Sequence, residues 1–207
     1  MLSTREVAAD FGPSIRQTVE VAAANIFNNS FTATTGTLTV DGVSLCNLSH
    51  PLLSDERTSG GTYSNRAATD AALSETSLQE LILLFEKMVN ERGLLKQSIP
   101  RQLLLPADLQ FTASKILDSP YEPQTGNNAV NTMQNRLMPV MNHYITSATQ
   151  YWLLADKRER YNRFWWRTKP ELDSQDDFNT KGAAFSVYMR FSTNVAYWHG
   201  IAGSNGV

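Results

Sequence analysis

The chain has 207 residues, of which 42% are hydrophobic and 18% charged, with a formal net charge of −2. This composition argues against wholesale disorder, and the near-neutral charge argues against a nucleic-acid binder that works by bulk electrostatics. The lone cysteine, Cys46, cannot form an internal disulfide, and with no membrane span or signal peptide recognisable we expect a soluble, intracellular protein.

A helical apolar stripe predicts that the chain begins with a helix. Its members are Val7, Phe11, Ile15, Val19, Ala22 and Ile26. Gly12-Pro13 interrupts the stripe, and proline breaks a helix interior. We predict a short helix, a break and a longer helix from about Pro13 to Asn28, with a kinked continuous helix as the alternative.

Strand chemistry follows between residues 30 and 46. Thr37–Val40 and Val43–Cys46 flank Asp41-Gly42, a typical two-residue hairpin turn. The stretch from His50 to Asp70 is rich in Ser, Gly, Thr and Asn and has no periodicity. A loop of this length is usually a functional or interaction element.

Two amphipathic helices are predicted in the middle of the chain. The first has a capping box of Ser77 and Glu80 and ends at Gly93 after Arg92. Its apolar face comprises Leu78, Leu81, Ile82, Phe85, Met88 and Val89. The second helix opens at Pro106 and stops at Pro120. It carries Leu109, Ala113, Ile116 and Leu117.

The remaining elements are predicted to be strands and loops. Strands are expected at 101–105, 138–141, 151–155, 161–167 and 184–192, with a polar loop or frayed helix at 127–136 and an acidic loop at 170–182. The last strand alternates without a break, so that its odd-numbered apolar residues face one way and its even-numbered polar residues the other. The fold class predicted is α+β with mostly antiparallel strands.

The sequence offers little reactive chemistry. Cys46 and His50 lie four residues apart, but a buried structural cysteine is a better interpretation than a thiol–imidazole pair. His50, His143 and His199 lack partners at metal-ligand spacing. No glycine-rich nucleotide-binding or hydrolase motif is present. We therefore predict no catalytic, cofactor or metal site.

A basic run interleaved with aromatic residues is the densest cluster of charge. It contains Lys157, Arg158, Arg160, Tyr161, Arg163, Phe164, Trp165, Trp166, Arg167 and Lys169. Arginines on phosphate and stacked aromatic rings would suit nucleic acid. Strand alternation instead indicates a half-buried strand, and acidic residues follow at 171–177 as possible ion-pair partners. We favour ion pairing, within or between subunits.

The polar face of the last strand also suits an interface, because tyrosine and arginine are enriched at buried contacts. The residues that we predict at contacts between subunits are Arg158, Arg163, Arg167, Glu171, Asp176, Asp177, Tyr188 and Arg190.

Five blocks of the sequence resemble the major capsid proteins of tailed bacteriophages, particularly the Mu-like head subunit group. In order they are SIRQTVEVAAANIFNNSF with the following DGVSLCNLSHPL, then GGTYSNRAATDAALSETSLQELI, PRQLLLPADLQFTASKIL, QYWLLAD, and RFWWRTKPEL continued by YMRFSTNVAYWHGIAGSNG. The resemblance rests on their joint order over nearly the whole chain.

The resemblance implies the capsid fold named after phage Hong Kong ninety-seven, with a long spine helix, a peripheral domain and an axial domain built on a mainly antiparallel sheet. On this mapping Pro13–Asn29 is the spine helix. Residues 1–49 supply the spine helix and a hairpin of the peripheral domain, 50–155 form most of the axial domain, and 156–207 return as strands to the peripheral domain.

Two features depart from the family pattern. The N-terminal arm and the extended loop that usually precede the spine helix are expected to be absent, because Met1 falls almost at the helix. The chain is then either a portion of a longer subunit or a reduced subunit. Gly12-Pro13 within the helix region is the second departure.

The resemblance also implies a function. The chain would be a virion structural protein, without enzymatic activity or cofactor, whose copies form pentamers and hexamers of an icosahedral head around non-specifically bound double-stranded DNA. Portal, scaffolding and decoration proteins would be further partners, no membrane would be involved, and assembly would occur in the host bacterial cytoplasm. Two alternatives remain open: an encapsulin-like shell protein of a cellular nanocompartment, and a small cysteine hydrolase using Cys46 and His50.

Overall fold

The computed structural model describes residues 4–34, 38–53, 60–121, 130–177 and 182–207. The helices are α1 (Thr4–Asn28), α2 (Glu75–Glu86) and α3 (Gln110–Asp118), the last preceded by a 3-10 turn at Ala107–Leu109. The strands are β1 (His50–Pro51), β2 (Thr62–Tyr63), β3 (Gln102–Leu105), β4 (Met138–Met141), β5 (Tyr151–Leu154), β6 (Asn162–Asp177), β7 (Gly182–Val195) and β8 (Ile201–Ser204). Helices and sheets are thus mixed, as predicted for an α+β protein.

Four strands form a central sheet in the order β4–β3–β5–β8. Strand β3 pairs parallel with β4 and antiparallel with β5, and β5 pairs antiparallel with β8. The leucines of β3 and all four residues of β5 are buried, which confirms the strands predicted there. Short apolar runs of this kind are typical of strands covered on both faces. The sheet is therefore the centre of the hydrophobic core.

Strand β4 lies at the edge of this sheet, and its sequence suits that place. The amides of Met138 and Asn142 donate to carbonyls of the β3 side. Since backbone N–H groups alternate in direction along a strand, the amide position of Pro139 faces the free edge. Proline has no N–H to offer there, which protects the edge against pairing with another chain.

The last strand, β8, was not predicted. It is only four residues long and has no alternating pattern. Gly203 allows it to lie against the core, because a Cβ atom there would be 2.6 Å from Cδ1 of Trp152 and 3.0 Å from Sγ of Cys46. The chain therefore returns to the central sheet near its C-terminus.

Helix α2 begins earlier than the sequence predicted. Its N-cap is Ser74, whose hydroxyl accepts a hydrogen bond from the amide of Ser77 at 3.2 Å. The hydroxyl of Ser77 in turn accepts from the amide of Ser74 at 2.9 Å. The capping box predicted for Ser77 and Glu80 is therefore wrong, because the box is formed by the two serines. The buried face is the predicted one: Leu78, Leu81, Ile82 and Phe85.

Helix α2 also ends earlier, at Glu86, and not after Arg92. A tight turn follows, in which the Asn90 amide donates to the carbonyl of Leu94 at 2.8 Å. Gly93 occupies that turn with a φ of +75°. The apolar stripe misled the prediction because Met88, beyond the helix, is also buried.

Helix α3 confirms the prediction for 106–120, with a 3-10 turn in place of its first turn. Its buried side chains are Ala113, Ile116 and Leu117. The side-chain Nδ2 atom of Asn131 donates to the backbone carbonyls of Ile116 at 2.6 Å and Ser119 at 2.8 Å. Helix ends leave such carbonyls without partners. Asn131, in the predicted polar loop, thus completes the end of α3.

Helix α1 is one continuous helix with Pro13 inside it. The break predicted at Gly12-Pro13 is wrong, and the alternative of a continuous helix is confirmed. Pro13 is exposed, so the single internal hydrogen bond that proline removes is lost next to water. Towards its C-terminal end the helix enters the core through Ala24, Ile26 and Phe27.

The hairpin predicted around Asp41-Gly42 is only a turn. A single bridge joins Leu38 and Ser44, and residues 35–37 lie outside the described part. The strands do not extend because the Asp41 carboxylate points to His50, with 2.6 Å between Oδ2 and Nδ1. This contact draws the turn onto the core.

The loop predicted between His50 and Asp70 contains a short ladder. His50 lies opposite Tyr63, and Pro51 opposite Thr62. Residues 54–59 lie outside the described part. His50 and Asn65 are both fully buried, so the ends of this segment belong to the core.

Strands β6 and β7 form a separate two-stranded antiparallel sheet, here called the ribbon. The acidic loop predicted from Pro170 is wrong as far as Asp177, because β6 continues to that residue; residues 178–181 lie outside the described part. The register shifts between Trp166 and Thr168 and again between Thr168 and Glu171. Pro170 falls in the second irregularity, where a missing N–H does least harm.

The ribbon has two distinct faces. The odd-numbered residues of β7 from Phe185 to Thr193 are half-buried and form the inner face. The even-numbered residues from Ser186 to Asn194 are exposed and form the outer face, which confirms the predicted alternation. Helix α1, with its own half-buried apolar stripe, contacts β7. The helix and the inner face therefore cover one another in part.

Substituting Ser74→Ala removes the N-cap hydroxyl of α2. We expect the free energy of unfolding to fall by about 1 kcal/mol, because an amide at the helix start loses its acceptor. Urea denaturation followed by circular dichroism measures this change. Glu80→Gln alters the residue that the sequence placed in the box, and as the matched control it should change the free energy by less than about 0.5 kcal/mol. An equal loss in both variants would contradict the Ser74 cap.

Candidate interaction surface

The outer face of the ribbon brings together Arg163, Glu171, Tyr188 and Arg190 from the predicted contact residues. Glu171 lies directly opposite Tyr188, and Arg190 is the next outer-face residue along β7. Arg163 lies nearer the start of β6 on the same face. All are exposed, Tyr188 to 55%. They are therefore available to a partner.

The other predicted contact residues lie apart from this face. Arg158 is exposed in the turn between β5 and β6. Arg167 is exposed at the first register shift, which interrupts the alternation that the sequence predicted for it. Asp176 and Asp177 end β6, and their side chains lie outside the described part. The ribbon thus groups some of the predicted residues and separates others.

Charge divides the exposed ribbon into two halves. Arg163, Arg167 and Lys169 are exposed in the first half of β6, and Glu171 and Asp173 in the second. The ion pairs among the described residues join His50 to Asp41, Arg66 to Asp70 and Arg136 to Glu86. In that part of the chain, no ion pair therefore joins the basic half of the ribbon to its acidic half.

The inner face carries an aromatic cluster. Phe164 stacks on Phe191 at 5.3 Å between ring centroids, and Trp166 meets both rings edge-on, at 5.0 Å and 5.7 Å. Aromatic pairs at such distances stabilise beyond their buried area. Phe164 is nevertheless 37% exposed and Trp166 39%. Helix α1 therefore leaves part of this face open.

Both long edges of the ribbon are free in the described structure, because β6 and β7 pair only with each other. The 14 residues of β7 extend for about 45 Å at the usual rise of a strand. A two-stranded ribbon is marginally stable alone, and a free edge is a template for a further strand. Among the described residues, the ribbon thus has helix α1 against part of its inner face and no strand along either edge.

An aromatic stack holds the base of the ribbon. Trp198 stacks with the rings of His50, at 4.7 Å, and His199, at 4.2 Å, between ring centroids. Tyr161 and Tyr197, at the two ends of the base, meet edge to face at 5.1 Å. These contacts fix the ribbon to the segment that leads into β8.

His199 has little capacity for acid–base chemistry. Burial, with smaller contributions from the charges of Lys96 and His50, lowers the pKa of its side chain to about 4. The imidazole is therefore neutral at neutral pH, with its Nε2 atom buried and unpartnered among the described residues. His199 serves the ribbon base as an aromatic wall.

Cys46 and His50 do not form a catalytic pair. Burial raises the pKa of the Cys46 thiol to about 12, so that the nucleophilic thiolate is scarce. The two ring nitrogens of His50 face Asp41 and Asn65 instead. This arrangement supports the interpretation of Cys46 as a buried structural residue.

Metal binding and membrane insertion find no support in the described ranges. No group of three histidine, cysteine or acidic side chains there could hold a metal ion. His143 is exposed and distant in sequence from the buried histidines. No described helix combines the length and the apolar character that a membrane span needs.

The sequence interpretation left several exposed apolar residues out of the contact set. Trp165 is 50% exposed and Leu172 59%, in addition to Phe164 and Trp166. Trp165 lies on the outer face opposite Ser192, and Leu172 on the inner face opposite Val187. The two faces of β7 identify these β6 residues as exposed only once the pairing register between β6 and β7 is known.

Comparison with protein families gives one match. A family model described as phage capsid protein matches residues 4–203. A search of curated proteins found none that matches. The matched range includes the central sheet and the ribbon, so the surface described above lies within it.

Alkylation of Cys46 tests its burial. A rise in the thiol pKa from 9.0 to about 12 should reduce the thiolate fraction at pH 8 by about 1000-fold. We expect iodoacetamide to label the native protein at least 1000-fold more slowly than the urea-unfolded protein, as followed by mass spectrometry. Native labelling within a factor of ten of the unfolded rate would show a reactive thiol and revive the hydrolase interpretation.

Proposed function

The chain belongs to the phage capsid protein family, and we propose that it is the major capsid subunit of a tailed phage. The family makes it a viral structural protein of the virion that assembles with copies of itself. The proposal adds that the copies form pentamers and hexamers of an icosahedral head around double-stranded DNA. The exposed ribbon, with no strand along either edge among the described residues, is the observation that carries this proposal.

The fold that we propose is the Hong Kong ninety-seven type in its Mu-like form. Helix α1 would be the spine helix: its 25 residues extend for about 37 Å, and it contacts β7. Residues 1–49 and the ribbon would form the peripheral domain, and residues 50–155 most of the axial domain. In support, β3, β4 and β5 all fall within 50–155. Strand β8 would add the fourth strand of the axial sheet.

The ribbon is suited to contacts between copies because it gains most from being covered. Its free edges, its exposed tryptophans and its long reach lie outside the core. Burying a large apolar side chain contributes about 1.5–3 kcal/mol. Contacts of this size, repeated around a closed shell, stabilise the assembly collectively. Assembly in this mechanism is geometric and needs no chemical step.

Charge indicates how ribbons would meet. Arg163 and Glu171 are eight positions apart on β6, which corresponds to about 25 Å along a strand. They are thus too distant to pair within one chain. When the basic half of one ribbon overlaps the acidic half of another, Arg163 and Arg167 of one copy gain Glu171 and Asp173 of the next copy as opposite neighbours.

Other partners follow from the same proposal. Packaged DNA would be enclosed without sequence preference, since a chain with a net charge of −2 has little bulk attraction for phosphate. Portal, scaffolding and decoration proteins would act at other stages of head assembly in the host cytoplasm.

Reversing two ribbon charges tests the interface. In the variant Arg163→Glu/Arg167→Glu, the first half of β6 carries two carboxylates in place of two guanidinium groups, so copies should repel where the proposal has them attract. We expect a folded chain by circular dichroism that forms no shells by electron microscopy and sediments at least tenfold more slowly than assembled particles. The variant Arg101→Glu/Lys115→Glu, which changes two exposed charges outside the ribbon, is the control and should still assemble.

A second variant makes the opposite charge change, in the acidic half of the ribbon. Glu171→Lys/Asp173→Lys should also fail to assemble alone, and mixing the two ribbon variants should restore shells. Intact shells from Arg163→Glu/Arg167→Glu would refute the charged overlap. Failure of the unaltered chain to form shells or capsomers at any concentration would refute the capsid proposal itself. Shells that enclose protein and not DNA would identify a nanocompartment.

A further inference from the structure

A buried polar cluster centred on His50 lies at the base of the ribbon. The His50 side chain is 0% exposed. Its Nδ1 atom lies 2.6 Å from Oδ2 of Asp41, and its Nε2 atom lies 2.9 Å from Oδ1 of Asn65. Both ring nitrogens therefore face oxygen atoms, and an oxygen acceptor requires a donor.

The orientation of the Asn65 amide is fixed by its other partners. Its Nδ2 atom donates to the carbonyls of Leu45 at 2.7 Å and Ile201 at 3.0 Å. Its Oδ1 atom also accepts from the amide of Asn47 at 2.8 Å. A flipped amide would oppose donor to donor and acceptor to acceptor at all three contacts. Oδ1 therefore faces His50, and Nε2 must donate to it.

The other neighbour, Asp41, is also an acceptor. Its Oδ1 atom accepts from the hydroxyl of Thr39 and from the amide of Val43 at 3.4 Å. These donors favour an ionised carboxylate, which can only accept. Nδ1 of His50 then donates to Oδ2. If the proton between Nδ1 and Oδ2 lies on Asp41 instead, the total number of protons in the cluster is unchanged. In either case the cluster holds one proton more than a neutral histidine beside an ionised carboxylate would.

The cluster connects the ribbon to the rest of the protein. Within the Asp41 turn, the amide of Val40 donates to the carbonyl of Ala196, immediately after β7, at 2.9 Å. Trp198 stacks on the imidazole. The Nδ2 atom of Asn65 donates to the carbonyl of Ile201, the first residue of β8. The whole segment between ribbon and central sheet is thus tied to His50.

We infer that Asp41, His50 and Asn65 form a proton-dependent latch that holds the base of the ribbon. When both ring nitrogens carry protons, both hydrogen bonds form and the latch is closed. When one proton is lost, two acceptors face each other beside a fully buried imidazole, with the Asp41 side chain only 15% exposed. The Asp41 turn is then released, and the hydrogen bond from Val40 to Ala196 is weakened with it.

The surrounding groups set the sign of the pH dependence. Asp41 is the charged group that contacts the ring, while Asn65 and Trp198 are uncharged. Tyr63, stacked on Trp198, keeps its hydroxyl proton by donating to the carbonyl of Leu84. His199, which also stacks on Trp198, is neutral, and the ammonium of Lys96 lies over the ring of Tyr161 at 5.2 Å. Raising the pH therefore opens the latch by deprotonating the cluster.

Substituting Asp41→Asn should make the latch independent of pH. An asparagine amide can donate to an unprotonated Nδ1 atom, so a neutral His50 satisfies both partners. The readout is hydrogen exchange at the Val40 amide, expressed relative to the intrinsic rate at each pH. In the unaltered chain we expect protection to fall with rising pH, by up to about tenfold per pH unit over the range in which the cluster releases its proton, as linkage to one proton requires. In Asp41→Asn it should change by less than about threefold over the same range.

Two controls accompany this measurement. Asp108→Asn, an exposed substitution of the same kind, should keep the pH dependence of the unaltered chain. Nitrogen NMR of the histidine rings should show a change in the protonation of the His50–Asp41 pair over the same pH values at which protection at Val40 falls, with the exposed His143 resolved as a separate signal. Constant protection at Val40 across the pH series, or equal pH dependence in Asp41→Asn, would each overturn the latch. These readouts need no shell, so they stand or fall separately from the capsid proposal.

Discussion

One buried side chain, Asn65, joins segments that no regular sheet connects. Its amide is fully buried and bonds to the carbonyls of Leu45 and Ile201 and to the amide of Asn47. Its backbone carbonyl also accepts from the amide of Gly203 at 3.0 Å. Leaving any such buried group unpaired costs about 1–3 kcal/mol. The turn at 38–47, the β1–β2 ladder and β8 therefore hold one another in place, and His50 and the ribbon base are built on that junction.

The parts of the fold that the sequence predicts well are those set by their own residues. Strand β3, strand β5 and helix α3 follow from local apolar patterns bounded by prolines or polar residues. The elements that the sequence predicts wrongly are set by contacts with residues elsewhere in the chain. Ser77 displaced Glu80 from the helix cap because it also reaches the carbonyl of Ala72 at 3.0 Å. Strand β8 exists because Gly203 fits against Trp152, and the acidic stretch after Pro170 is a strand because β7 pairs with it.

The same distinction applies to the interaction surface. The alternation of β7 placed Tyr188 and Arg190 on one exposed face before the fold was known. Arg167 was misplaced because a register shift is a property of two strands together and is not encoded by a local period. The four-residue spacing of Cys46 and His50 carried no chemistry, since the partners of His50 are Asp41 and Asn65. Spacing along the chain identifies contacts only where a single helix or strand contains both residues.

The protein thus combines two regions of opposite character. In the body, buried polar groups such as those of Asn65 and Asn131 have partners, and the apolar strands are covered. In the ribbon, Trp165 and Leu172 are 50% and 59% exposed, both strand edges are free, and among the described residues no ion pair joins the two charged halves. Under the function proposed above, contact with other copies would stabilise the ribbon, so that its order would depend on the concentration of assembled copies, while the body would keep its shape on its own.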